Sequence, residues 1–189
     1  MDGEESPNKQ VYTLGEFMSL EVEEGARAEL VGGELFMFSS PTYAHQRIVS
    51  VLCARFEAFF AGKTCKVCVA PLDVIIKEHC VQPDLIVLCD TAKIHGDGKC
   101  HGAPDLVVEV SSKSTEHSDR MLKLNLYRNN GVKEYWIVNP LNVEGVIADV
   151  FRFERGDKID YMQYAGGDTA ESFLFEGLTV DMNDLINEV

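Results

Sequence analysis

Residues 103–114 read Ala-Pro-Asp-Leu-Val-Val-Glu-Val-Ser-Ser-Lys-Ser (APDLVVEVSSKS). Leu106, Val107, Val108 and Val110 predict a buried β-strand. Glu109 interrupts that run, and Asp105 precedes it. A carboxylate on a buried strand is costly unless a partner neutralises it. Upstream, VQPDLIVLCD (residues 81–90) repeats the arrangement, with Asp84 heading a second apolar strand. Asp105 and Glu109 are four apart, so alternation puts them on one face. Asp105, at the strand mouth after Pro104, also fits turn chemistry; Glu109 has no such explanation.

Sequential strands are usually sheet neighbours, which would bring Asp84 and Glu109 within several ångströms. Two carboxylates in an apolar setting repel, and one keeps its proton unless a cation intervenes. Mg²⁺ binds through one or two carboxylates, retains waters and contacts phosphate oxygens. A lysine would complete such a site. Lys123 follows Asp119 by four residues, which puts both on one face of the predicted helix. Lys113, in the turn after the strand, is a second candidate. The plain alternative for Asp119 and Lys123 is a surface ion pair worth a few tenths of a kcal/mol.

Working outward, residues 1–10 read as a disordered leader and 11–189 as one domain. Thr13 and Glu16 form a capping-box pattern opening a short helix to about Leu20. Gly32-Gly33 between two apolar-alternating runs signals a hairpin, and Pro41 ends that unit. Ile48, Val49, Leu52, Phe56, Phe59 and Phe60 have helical spacing, with Gly62 as the stop. Strands are predicted at Lys66–Lys77, Pro83–Leu88 and Asp105–Val110, with a polar, irregular stretch between the last two. A helix follows, capped by Ser114 or Ser118 and closed by Asn129-Asn130-Gly131. Then come a strand, EYWIV, stopped by Asn139-Pro140, a hairpin turning near Gly156-Asp157, and a short terminal helix. The order predicts a mixed α/β fold, a central sheet flanked by helices, with an N-terminal helix–hairpin and a C-terminal hairpin as additions.

Composition is ordinary for a globular chain of 189 residues, 46% apolar and 25% charged. No apolar run reaches the roughly 20 residues of a membrane helix. The acidic, polar N-terminus lacks a secretory-signal pattern, so the expected localisation is cytoplasmic and no membrane partner is expected. The net charge of −14 argues against a generally basic, nucleic-acid-coating surface. Together with the lack of an obvious basic recognition helix, it favours a second reading: a non-catalytic binding or regulatory module. Cys53, Cys65, Cys68, Cys80, Cys89 and Cys100 are expected to be free thiols. The Cys65-x-x-Cys68 pair lies on a predicted strand that would point the two to opposite faces, against zinc binding.

ELVGGELFMFSSPTYAHQRI, QPDLIVL, PDLVVEVSSKST, the Asp119/Lys123/Tyr127 set and GVKEYWIVNP, in this order and spacing, resemble the Uma2 family of the PD-(D/E)XK nuclease superfamily. The likeness runs from about YTLGEFMSL to the C-terminus. It implies a restriction-endonuclease-like fold and Mg²⁺-dependent phosphodiester hydrolysis, with Mn²⁺ as a substitute. It also implies nucleic acid, DNA first, as the substrate. Carried over, Asp84 is the metal-binding Asp and Glu109 the acid of the D/E-x-K element. For a Mg²⁺-dependent nuclease the Val110 carbonyl is the expected further metal ligand. The lysine of that element falls at Ser111, and the family commonly supplies it from the next helix, here Lys123. Glu34 and His45 are implied outer ligands or substrate contacts, with Ser112, Lys113 and Asp119 around them. Where the family usually has Leu-Ser-Pro-Ser, this chain has Ser111-Ser112-Lys113-Ser114, which deletes no expected ligand. A homodimer is expected because duplex cleavage uses two sites and the C-terminal hairpin offers an edge.

Overall fold

The computed structural model describes residues 10–21, 27–112, 115–140, 145–154 and 158–186. The leader expected at 1–10, apart from residue 10, and the turn at 156–157 lie outside that set, as do Lys113 and Ser114. Thr13 caps α1 (Leu14–Met18) reciprocally: its Oγ1 accepts from Glu16 N at 3.2 Å, and Glu16 Oε2 accepts from Thr13 N at 2.8 Å. β1 (Arg27–Val31) and β2 (Glu34–Phe38) form the expected hairpin. Gly32 and Gly33 both have positive φ, 59° and 82°, as a two-residue hairpin turn demands. Thr42 Oγ1 then accepts from His45 N and caps α2 (Tyr43–Phe60), the longest helix among the described residues.

The predicted strand over 66–77 is in fact two strands. β3 (Lys66–Val69) stops before Pro71, which has no N–H to continue the ladder. After Leu72-Asp73, β4 (Val74–Ile76) pairs with β5 (His79–Val81) in a different sheet. β6 (Leu85–Leu88) returns to β3. The polar stretch after it contains a short 3₁₀ turn, Thr91–Lys93, and β7 (Cys100–His101). β8 (Leu106–Val110) is the opening stretch, buried at every position.

The next helix departs from α geometry. It is wound as a π-helix over Ser118–Lys123 before continuing as α3 (Leu124–Asn129). Gly131, at φ 96°, turns the chain into β9 (Glu134–Asn139). β10 (Ile147–Phe153) and β11 (Ile159–Tyr164) make the expected hairpin. β12 (Thr169–Glu171), β13 (Thr179–Asp181) and α4 (Met182–Ile186) close the described chain.

The main sheet runs β11-β10-β9-β8-β6-β3, antiparallel except where β8 meets β9. A second sheet runs β2-β1-β5-β4-β7. The molecule is therefore mixed α/β. Strand alternation gives the main sheet two buried faces. Leu106, Val108, Trp136 and Val138 pack with Ile48, Leu52 and Phe56 of α2. Val107, Ile86, Tyr135 and Ile137 pack with Tyr127 and the second sheet's Val74, Ile76 and Val81. Each such aliphatic or aromatic side chain contributes about 1.5–3 kcal/mol of burial.

The cysteines correct the expectation of free thiols. Cys65 and Cys89 flank the β3–β6 ladder directly opposite one another and are joined as a disulfide. Free thiols remain at Cys53, Cys68, Cys80 and Cys100. The signal was absent from sequence spacing because it arises from register, which only the folded sheet supplies. Cys65 and Cys68 do contact opposite faces of the sheet.

Candidate active site

Antiparallel pairing of β6 with β8 sets Leu85 opposite Val108, and one step further sets Asp84 opposite Glu109. Both carboxylates are buried, on the face shared with Ile86 and Val107. Asp84 Oδ2 accepts the Val110 N–H at 2.8 Å and lies 3.1 Å from His45 Nε2. Arg27 reaches its Oδ1 at 3.8 Å. Burial pushes the Asp84 pKa up, but His45 and the Val110 N–H outweigh it and hold the carboxyl below its ordinary value.

Glu109 Oε1 accepts from Lys123 Nζ at 2.9 Å and from the Tyr127 hydroxyl at 2.8 Å. The same ammonium lies 2.9 Å from Glu29 Oε2 and 3.8 Å from Asp119 Oδ1. Burial is the main force lifting Glu109 well above the usual carboxylate range; Lys123 opposes it, while Asp119, Asp84 and Glu29 add to it. Asp119 is lifted in the same sense, again chiefly by burial. For Lys123, burial is outweighed by the surrounding carboxylates, so its pKa rises and it stays charged. Burial and the nearby Glu109 charge keep Tyr127 a phenol, able to donate.

These groups open onto a cavity of about 460 Å³ lined by Arg27, Glu29, His45, Asp84, Glu109, Ser112, Asp119 and Lys123, among others. Of the residues singled out from sequence, Asp84, Glu109, Val110, Lys123, Asp119, His45 and Ser112 therefore meet in one place. Ser112 N donates to Thr115 Oγ1 at 2.9 Å at the turn leading to the π-helix. Ser111 Oγ donates to Asp119 Oδ2. Glu34 does not reach this cavity; it lines a separate depression with His79 and Met121. Lys113 lies outside the described residues. Asp105 is occupied structurally, accepting from Lys133 Nζ at 2.6 Å and Cys89 N at 2.8 Å.

Glu29 was not anticipated. It sits in β1, only 2% exposed, between Ala28 and Leu30, and also accepts the Gln82 N–H. Its signal was the same as that of Glu109, a lone acid in an apolar strand.

The charge balance bears on whether a cation fits. Glu29, Asp84, Glu109 and Asp119 line the cavity with Lys123 and Arg27, so acidic side chains there outnumber these two cations. Asp119 Oδ1 and His45 Nδ1 are buried with no hydrogen bond, while Glu29 Oε2 rests against the Lys123 ammonium. A buried carboxylate oxygen with no hydrogen bond and four acids gathered around two cations suit a divalent ion. Among the described residues, no three His, Cys, Asp or Glu side chains converge to hold an ion alone. An ion here would rest on Asp84, Glu109 and backbone or water oxygens, as Mg²⁺ commonly does.

Residues 14–183 match the profile of the family described as "Uma2: Putative restriction endonuclease". The chain belongs to the Uma2 family. Among solved structures, this Uma2 chain is similar to one described as a "putative nuclease belonging to DUF820" from Anabaena variabilis. The TM-score is 0.74 at 18% identity, covering 93% of this chain and 97% of that one. At that identity the likeness is one of fold. A search of curated proteins returned no match. No helix among the described residues of this Uma2 chain is long and apolar enough to cross a membrane.

Proposed function

We propose that this Uma2 protein is a divalent-cation-dependent nuclease hydrolysing phosphodiester bonds, with DNA the first substrate to test. Asp84, Glu109 and the Val110 carbonyl would hold Mg²⁺ or Mn²⁺. Bound there, the ion would polarise a phosphoryl oxygen and lower the pKa of a ligated water. The observation carrying this reading is the buried contact of Lys123 with Glu109 beside Asp84. A permanently charged Lys123 cannot serve as the base. It orients the attacking water and stabilises the charge that develops on the phosphoryl group. Arg27 and His45, which both approach Asp84, offer contacts to the substrate phosphate.

The test is cleavage of DNA and RNA oligonucleotides with Mg²⁺ or Mn²⁺. Asp84→Asn and Glu109→Gln should abolish cutting while remaining folded, and Lys123→Met should lower the rate roughly 10²–10³-fold. Undiminished cutting by Asp84→Asn would refute the assignment. The net charge of −14 favours the non-catalytic module instead; wild-type protein that binds nucleic acid under these conditions and leaves it intact would establish that reading. The homodimer expected for duplex cutting would form on β11, the edge strand, where Tyr161 and Met162 are exposed. Sedimentation at micromolar concentration tests it.

A further inference from the structure

Sheet register places five residues in one row across neighbouring strands. Asp84 faces Glu109, Glu109 faces Ile137, Ile137 faces Asp149, and Asp149 faces Gln163. The row therefore carries a third buried acid, Asp149, two strands from Glu109 and about 10 Å away at ordinary strand spacing. Asp149 has no exposed surface. Tyr161 Oη donates to its Oδ1 at 2.6 Å and Gln163 Nε2 donates to the same atom at 2.8 Å. Its other oxygen, Oδ2, accepts from Arg120 Nη2 at 2.6 Å.

Arg120 and Lys123 belong to the same π-helix. One side chain is fastened to Asp149 and the other to Glu109, so the segment is pinned to the row at two points. One residue before Arg120, the Asp119 carbonyl accepts from Tyr135 Oη at 3.2 Å. π-Helical turns occur disproportionately at functional sites, and this one carries all three of those contacts. The competing contact of Arg120 within its own helix is longer, 3.7 Å to Glu116.

We propose that the Arg120–Asp149 pair is a positioning device, setting the π-helix so that the Lys123 ammonium rests on Glu109. This role rests on the nuclease reading for its catalytic consequence, but its structural content does not. Arg120 never touches the cavity in this arrangement and acts only through Lys123.

The test uses Arg120, whose side chain is 36% exposed. In metal-free, full-length protein, the ¹⁵N resonance of the Lys123 ammonium should shift and broaden in Arg120→Ala, and recover in part in Arg120→Lys. In cleavage assays, kcat should fall roughly 10²-fold in Arg120→Ala with KM unchanged. A folded Arg120→Ala protein with an unaltered Lys123 resonance overturns the proposal. If Arg120→Ala fails to fold, Arg120→Lys and Tyr161→Phe decide it. A Lys123 resonance that responds to the first, and to the second less, supports the tether; no response to either rejects it. Wild-type protein that cuts nothing would defeat the nuclease reading while leaving the resonance measurement decisive for the tether.

Discussion

Lys123 and Glu29, 94 residues apart in the chain, meet at 2.9 Å with almost no access to water. The contact joins the π-helix to the N-terminal hairpin, so the site is closed from a part of the chain distant from its central strands. Removing the cation of a buried cluster strands its anions. Lys123→Met should therefore cost about 3–5 kcal/mol at neutral pH, whereas Glu29→Gln, which leaves Lys123 on Glu109, should cost under about 2 kcal/mol. Urea unfolding of the two variants checks the ratio.

The carboxylates predict two opposite pH dependences. Asp84 is held below its ordinary value of 3.8, so its contribution is present above that value and is lost as pH falls through the lower, folded value. Glu109 is raised above 4.5, so the folded, cation-free protein holds a proton that the unfolded chain releases. Its contribution is full below 4.5 and is lost as pH rises through the folded value. Melting of the metal-free protein across pH should show both arms.

Cation binding at this pair should expel the Glu109 proton. Titration calorimetry with Mn²⁺ in two buffers of different ionisation enthalpy should give different apparent heats. Identical heats would show that Glu109 is already ionised.

Tyr127→Phe removes the phenolic hydrogen bond to Glu109. The glutamate then loses a donor that favours its charged form, and the pH–rate profile for cleavage should move to higher pH. Stability of the metal-free protein at neutral pH should fall by about 0.5–1.5 kcal/mol, the range for an ordinary intramolecular hydrogen bond.

The Cys65–Cys89 bond spans 24 residues, for which chain-entropy arguments give about 3 kcal/mol. Reduction should lower the melting temperature. Cys65→Ser, Cys89→Ser and the double variant should be equally destabilised, because each removes one and the same bond.

The acid-bearing strands were legible because a carboxylate among valines violates the apolar pattern, and sequential pairing then supplied the Asp84–Glu109 meeting. Lys123 was found from α-helical spacing to Asp119; the helix is π-wound there, yet the two remain 3.8 Å apart. Glu29 was overlooked although it carries the same local signal, because nothing in β1 indicates which sheet edge it will face. The split at Pro71 was readable from the missing N–H. The Cys65–Cys89 partnership was not, since it depends on register between β3 and β6.

The π-wound segment has a final consequence for how this chain tolerates change in length. Each residue of a regular helix advances the side-chain direction by about 100°. Deleting one residue between Ser118 and Lys123, or adding one, would swing either the guanidinium or the ammonium off the sheet. Homologous exchanges in this stretch leave the register of both anchors untouched. Insertions and deletions do not, so natural variation here should proceed by replacement at constant spacing.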